Sequence, residues 1–135
     1  MSKELGASPI ELAMGLMLLV VPVTIIVLSV APVFEHQNFV SRAASEAART
    51  MALSEDEPEA RALAVVENLA LGMGIDPSRV TVEFCSGASC SLGRGDQISV
   101  QVTAIVPELS SFLPIGELTV SATHVEQVDL FRSRP

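Results

Sequence analysis

Hydrophobic positions follow three successive patterns along this chain: continuous, then helical, then alternating. The continuous part runs from Leu12 to Phe34, 23 residues without a charge. As a helix it would be about 34 Å long, enough to cross a bilayer core of roughly 30 Å. The remaining ~100 residues could not surround a helix that is apolar on all sides. The pattern therefore predicts a transmembrane helix over residues 7–34, with Pro22 and Pro32 as kinks that a membrane helix tolerates.

Helical spacing continues beyond the apolar run. Over 35–53 the small and apolar residues recur on one face, while charged residues occupy the others; that face comprises Val40, Ala43, Ala44, Ala47 and Met51. Its alanines would allow close approach to another element. We expect that element to be the protein's own sheet rather than a neighbouring subunit, although both interpretations are open.

A second helix is predicted over Glu59–Leu71. Ser54 and Glu57 have the spacing of a capping box, and Pro58 fits the start of a helix. Gly72 and Gly74, followed by Pro77, would end it. The residues expected on its buried side are Leu63, Val66 and Ala70.

Three segments then alternate strictly between apolar and polar residues, as strands with one buried face do. Short connections favour antiparallel pairing. The predicted fold class is α+β: a long N-terminal transmembrane helix that continues into an amphipathic helix, a second short helix, and a three-stranded antiparallel sheet. The apolar positions are Val80, Val82 and Phe84, then Ile98, Val100, Val102 and Ala104, then Leu118, Val120 and Ala122.

Composition and charge narrow the function classes. Apolar residues make up 49% of the chain, which excludes an intrinsically disordered protein. The net charge is −8, from 16 acidic and eight basic residues. Because a protein that neutralises phosphates needs a basic surface, this charge argues against nucleic acid as a partner.

The two cysteines, Cys85 and Cys90, are separated by four residues. A disulfide is the first interpretation and two unpaired thiols the second. Zinc is a poor candidate because there is no second cysteine pair and the histidines lie far away in sequence, and the spacing lacks the two-residue gap of a thioredoxin-like motif. A disulfide would place this part of the chain on an oxidising, extracytoplasmic side.

Catalysis has little support in the sequence. His36 and His124 stand alone, and no nucleophile, phosphate-loop or dinucleotide motif is present. We therefore expect no enzyme activity, no cofactor and no metal site. The tripeptide Arg94–Asp96 has the Arg-Gly-Asp sequence of adhesion motifs, but glycine and aspartate directly before a strand are ordinary turn residues.

The segment before the apolar run carries the most specific signal. The chain reads MSKELG-ASPIE, with Glu11 five positions beyond Gly6 and directly before the apolar residues. Because glycine lets a peptidase approach the backbone closely, a cut between Gly6 and Ala7 is plausible and would leave the apolar helix on the mature chain. The new amino group of Ala7 could pair with Glu11 of a neighbouring subunit, since a desolvated carboxylate needs a partner. Alternatively, Glu11 only favours the positive end of the helix and lies among lipid head groups.

This arrangement resembles type IV prepilins, and in particular the TadE-like minor pseudopilins of the tight-adherence (Tad) pilus system. GASPIELAMGLMLLVVPV is similar to the opening of that family, with Leu12 where a phenylalanine is usual. NFVSRAASEAARTMAL is similar to its Ala/Arg-rich segment after the membrane, and DQISVQVTAIVPELSSFLPIGELTVSATHVEQ to its ending. The chain is too long for a major subunit of this pilus class, which is much shorter.

The resemblance implies a bacterial inner-membrane protein with its N-terminus inside. Residues 1–6 would be the leader, removed by a prepilin peptidase after Gly6, 7–34 the transmembrane helix, and 35–135 an extracytoplasmic domain. Its partners would be the membrane, other pilin and pseudopilin subunits and the Tad assembly platform. Two alternatives are open: a pseudopilin of a type II secretion system, and a signal-anchored binding module in which the helix is only a tether.

Overall fold

The computed structural model describes residues 9–87, 90–107 and 116–129. Two helices precede three strands, and short 3-10 turns at Pro77–Arg79 and Cys85–Gly87 flank the first strand. This order confirms the predicted α+β class. The elements are α1 (Pro9–Leu53), α2 (Pro58–Gly72), β1 (Val80–Phe84), β2 (Gln97–Val106) and β3 (Leu118–Gln127).

Helix α1 is a single helix of 45 residues that contains both Pro22 and Pro32. At 1.5 Å per residue it is about 68 Å long. It continues without a break through residues 34 and 35, where the sequence predicts the transition from the apolar segment to the outer domain. One helix therefore carries both the exposed apolar segment and part of the domain core.

The sheet has the order β1-β2-β3, and both pairings are antiparallel. β2 is the central strand, and its alternating pattern is confirmed because every second residue is buried; these residues are Ile98, Val100, Val102, Ala104 and Val106. Their partners on β1 and β3 lie on the same face of the sheet, since opposite residues of antiparallel strands share a face.

Helix α1 covers this inner face of the sheet. α1 packs against β2, β3 and α2. Its contact face is the predicted alanine stripe, and Ala43, Ala47 and Ala48 are fully buried in the same hydrophobic cluster as the β2 residues. This confirms the expectation that the stripe packs on the protein's own sheet. The methyl side chain of alanine is small, so α1 can lie close to the strands.

The start of α2 differs from the predicted capping box. The N-cap residue is Glu57, in the left-handed conformation (φ 45°), and its side chain makes no capping hydrogen bond. Ser54 instead belongs to the end of α1, where its backbone N–H donates to the Thr50 carbonyl (2.9 Å). Pro58 occupies the first helical position, where the lack of an N–H costs nothing.

The buried side of α2 is also partly different. Ala62, Val66 and Ala70 face the core, whereas Leu63 is 46% exposed. The predicted stop is confirmed, because the helix ends at Gly72 and Gly74 adopts φ 71°. There the N–H of Ile75 donates to the Ala70 carbonyl (2.8 Å), as in a Schellman-type helix end.

Candidate functional site: the exposed apolar helix

Most of the exposed large apolar side chains among the described residues lie on the N-terminal half of α1, between Ile10 and Phe34. In the most apolar 18-residue window of this helix, only 6% of residues are buried. A core helix of a soluble domain would be buried, and soluble monomeric proteins rarely expose a continuous apolar surface of this size. The helix is long and apolar enough to cross a membrane, which is consistent with a single-pass anchor.

Glu11 lies in the first turn of α1 and is exposed. Phe39, the first fully buried core residue of α1, follows 28 residues later, about 42 Å along the helix axis. Glu11 borders a shallow apolar groove of about 430 Å³ over Gly15, lined also by Leu12, Leu16 and Leu19. Gly6 and Ala7, the predicted cleavage residues, lie outside the described residues, so the cut remains a prediction.

Three polar side chains within residues 24–36 of α1 bond to the backbone of their own helix. Thr24 Oγ1 donates to the Val20 carbonyl (2.8 Å) and Ser29 Oγ donates to the Ile25 carbonyl (2.7 Å). His36 Nδ1 lies 2.8 Å from the Pro32 carbonyl oxygen. Such internal bonds allow hydroxyl and imidazole groups to sit on an apolar helix without leaving a polar group unsatisfied.

The two cysteines form the predicted disulfide, with Cα atoms of Cys85 and Cys90 5.4 Å apart. The bond closes the chain directly after β1, where Cys85 and Ser86 both have positive φ (50° and 55°). Both cysteines pack against the hydrophobic core. The bridge lies in the sheet domain, and the exposed segment of α1 takes no part in it.

The Arg-Gly-Asp tripeptide lies in a turn, and the carboxylate of its aspartate is engaged in hydrogen bonds within that turn. The Asp96 carboxylate accepts hydrogen bonds from Ser91 Oγ and from the Gly93 N–H. The backbone of the turn also bonds to the residue directly after β3, since the Gly95 N–H donates to the Val128 carbonyl (3.1 Å). The turn interpretation is confirmed: this carboxylate holds the entry to β2 in place.

The two histidines lie in different environments. His36 bonds to its own helix, whereas His124 lies on the inner face of β3, with Nε2 3.3 Å from Glu126 Oε2. Over residues 9–87, 90–107 and 116–129, no three His, Cys, Asp or Glu side chains are placed to hold a metal ion.

A groove of about 400 Å³ separates α2 from β1. Its walls are mainly apolar, and Glu67 is the titratable group that borders it; the remaining lining residues are Leu63, Val66, Ala70, Pro77, Ser78, Val80 and Val82. The groove exists because α2 packs against α1 more closely than against β1. It explains why the inner residues of β1 are only half buried.

Comparison with known protein families, with curated proteins and with solved structures finds no match for this chain. The fold defines the class of protein: a small α+β domain that continues a long helix, and the first part of this helix is long and apolar enough to cross a membrane.

Sequence reasoning missed two features of the domain. The first is the engagement of Asp96 by Ser91, five residues earlier, which no local pattern indicates. The second is the outer edge of β3, which has no partner strand among residues 9–87, 90–107 and 116–129. A signal for it was present, because Leu118–Gln127 has neither the lysine nor the proline that commonly protects an edge strand.

Proposed function

We propose that this chain is a minor pseudopilin of a Tad-type pilus assembly, anchored in the bacterial inner membrane by α1. The observation that carries the proposal is the position of Glu11, one carboxylate at the start of an apolar helix that continues directly into the core of the outer domain. A tether would need the apolar segment alone. A subunit packed among other helices needs both a register-setting charge and a rigid connection to its domain.

In this proposal a prepilin peptidase cuts between Gly6 and Ala7. The new amino group of Ala7 is a cation at the end of the helix. In an assembly from which water is excluded, the Glu11 carboxylate of a neighbouring subunit is its natural partner, because two unpaired charges in an apolar medium cost several kcal/mol each. Helix packing along the rest of the segment relies on van der Waals contact and small residues such as Gly15.

The intact mass of the protein extracted from its native membrane tests the processing step. We expect a chain that begins at Ala7, and we expect a Gly6→Leu variant to keep the leader because its side chain blocks access to the backbone. A wild-type chain that still begins before Gly6, in cells with an active prepilin peptidase, would favour the signal-anchored module. Trimming of the whole apolar segment would remove both interpretations.

A second experiment tests the role of Glu11 separately from insertion. Glu11→Ala should remain in the membrane but enter the pilus assembly at a several-fold lower level. Glu35→Ala is the matched control, since Glu35 is another exposed carboxylate on the same helix. Equal incorporation of the two variants would show that the pairing does not operate. A type II secretion pseudopilin would give the same mass but would assemble with a different set of partners.

A further inference from the structure

The outer edge of β3 is long, regular and unpaired within the described part of the chain. β3 has ten residues, and all ten oppose β2 in one-to-one register from Val106↔Leu118 to Gln97↔Gln127. It is the last strand of the sheet. In an antiparallel pair alternate residues direct their N–H and C=O groups away from the partner strand, so about half of β3 offers these groups at the edge.

The opposite edge of the same sheet is protected. β1 has only five residues, follows a turn that begins at Pro77, and ends where Cys85 and Ser86 turn the backbone left-handed. Short length, proline and bends are three of the devices that keep edge strands from pairing with other chains. β3 has none of them: it contains no proline and no lysine, and its continuous register has no bulge.

Antiparallel pairing of two β3 edges does not fit two copies of this chain that are anchored in one membrane. Two identical edges that pair antiparallel are related by a two-fold axis perpendicular to the sheet. α1 lies along the face of the sheet, in contact with β2 and β3. Rotation about that axis reverses its direction, so the two apolar segments would leave the pair in opposite directions.

The side chains of β3 define what a partner strand should carry. On the outer face of the sheet lie uncharged residues and one exposed apolar side chain, Val125, which is 54% exposed. On the inner face the one charged side chain is Glu126, which is 40% exposed. Its ion-pair neighbour among the described residues is His124, which is a cation only when protonated. With a net charge of −8, the chain as a whole also favours a basic partner.

We propose that the outer edge of β3 is the docking site for an extended, basic segment of a different protein. This segment adds to the sheet as a fourth strand, antiparallel to β3. A lysine or arginine of this segment lies opposite Glu126. Uncharged or β-branched residues of the segment lie beside the outer-face residues of β3, which are Thr119, Ser121, Thr123 and Val125. The exclusion of antiparallel pairing with a second copy rests on the membrane anchoring in the proposed function, whereas the open edge does not.

Site-specific photo-crosslinking in native membranes tests the proposal. The photoreactive phenylalanine analogue p-benzoylphenylalanine is placed in the full-length protein at Ser121, Thr123 or Val125, one position at a time. Thr81, an exposed residue of the protected strand β1, is the control position. We expect crosslinks to one segment of another polypeptide, with the attachment points running in reverse order at intervals of two residues. Position 81 should give no such series.

A charge reversal then tests the partner chemistry. Glu126→Arg should lower the yield of the crosslink at Thr123 several-fold, and Glu83→Arg, an exposed charge on β1, should leave it unchanged. Crosslinks to a second copy, crosslinks to the chain's own residues, or equal yields at positions 81 and 123 would each overturn the docking site. Alkaline carbonate extraction reads the anchoring separately: a chain released from the membrane that still gives the ordered crosslinks contradicts the anchor and leaves the docking site standing.

Discussion

Gly74 and Asp76 guide the chain from α2 into β1, each through a different property. Gly74 adopts a left-handed conformation that closes the end of α2. Asp76 accepts hydrogen bonds from both the hydroxyl (2.8 Å) and the backbone N–H (2.9 Å) of Ser78, which caps the turn before β1. The first property is a backbone preference and the second is a side-chain bond, so they can be tested independently.

Replacement of Gly74 by alanine should lower the free energy of unfolding by about 1 kcal/mol, because a β-carbon disfavours the left-handed conformation. Gly72→Ala is the matched control. A β-carbon meets no atom within 4 Å at either position, but Gly72 lies within the helix and has no positive φ. The control should be neutral or slightly stabilising. Hydrogen exchange of the β2 amides in detergent-solubilised protein measures both, and equal effects would contradict the backbone explanation.

The carboxyl group of Asp76 should titrate below its ordinary pKa of 3.8, because it accepts two hydrogen bonds from Ser78. The bond from the hydroxyl has the larger effect on the pKa and the bond from the backbone N–H the smaller. A lowered pKa in the folded state contributes stability above the unfolded pKa, and this contribution is lost as the pH falls through the folded pKa. Ser78→Ala should move the pKa of Asp76 back toward 3.8. Carboxyl ¹³C NMR titration checks this; an unchanged pKa would show that the hydroxyl is not the main cause.

Local residue signals predicted the end of α2 but not its start. Glycine directly after an apolar segment with helical spacing is a common signal for the end of a helix, so Gly72 and Gly74 predicted where α2 ends. Ser54 and Glu57 matched a capping box in spacing, yet Ser54 bonds to the last turn of α1. A spacing rule cannot tell which of two neighbouring helices a residue joins, because that depends on where the first helix ends.

Helix α2 is held by small side chains. Ala62 and Ala70 are fully buried on the side that faces the core, with Val66 between them, whereas the larger Leu63 is 46% exposed. The sequence pattern placed Leu63 on the buried side because apolar spacing allowed it. Close packing against the alanine face of α1 instead selects alanines at the contact, and periodicity alone does not contain that information.

An enlarged side chain at the contact should therefore be costly. Ala62→Leu should reduce the free energy of unfolding by about 1–3 kcal/mol, the usual cost of overpacking a filled core. Ala60→Leu, two residues earlier on the exposed side of α2, is the matched control and should change it by less than about 0.5 kcal/mol. Urea unfolding followed by circular dichroism distinguishes them, and similar values would mean that the contact is not tightly packed.

The disulfide between Cys85 and Cys90 restrains the connection that leaves β1. In the chain-entropy account, a closed loop of about six residues contributes about 2 kcal/mol. The double variant Cys85→Ser with Cys90→Ser should lose about that amount of stability. Reduction of the wild-type protein should reproduce the loss, whereas the reductant should not affect the double variant. A wild-type stability that is insensitive to reduction would contradict the contribution.

At the scale of the whole molecule, the residues around an exposed apolar side chain indicate whether that side chain faces lipid or water. Ile26 in α1 and Leu71 near the end of α2 are both 60% exposed. Ile26 lies within an unbroken apolar segment, whereas Leu71 lies outside it. The length and continuity of the segment were evident from the sequence, as was the alternation of the strands. The sequence of β3 showed that this strand lacks proline and lysine, but its position at the edge of the sheet depends on the order of strands in space.

A charge at these two positions should separate the two environments. Ile26→Arg should reduce the fraction of the protein that resists carbonate extraction, because an arginine at the centre of a membrane helix costs about 2.5–3.5 kcal/mol on insertion scales. Leu71→Arg should leave that fraction unchanged. Full retention of Ile26→Arg in the membrane would argue against a span centred on this part of α1.

The continuity of α1 has a mechanical consequence. The apolar run ends at Phe34 and the buried core begins at Phe39 on the same helix, so only about 7 Å of helix separates them. If the apolar part is embedded in lipid, the folded portion is held against the surface of the bilayer without a flexible stalk. The folded portion then has a short reach, so any partner that it binds must come to within a few nanometres of the membrane.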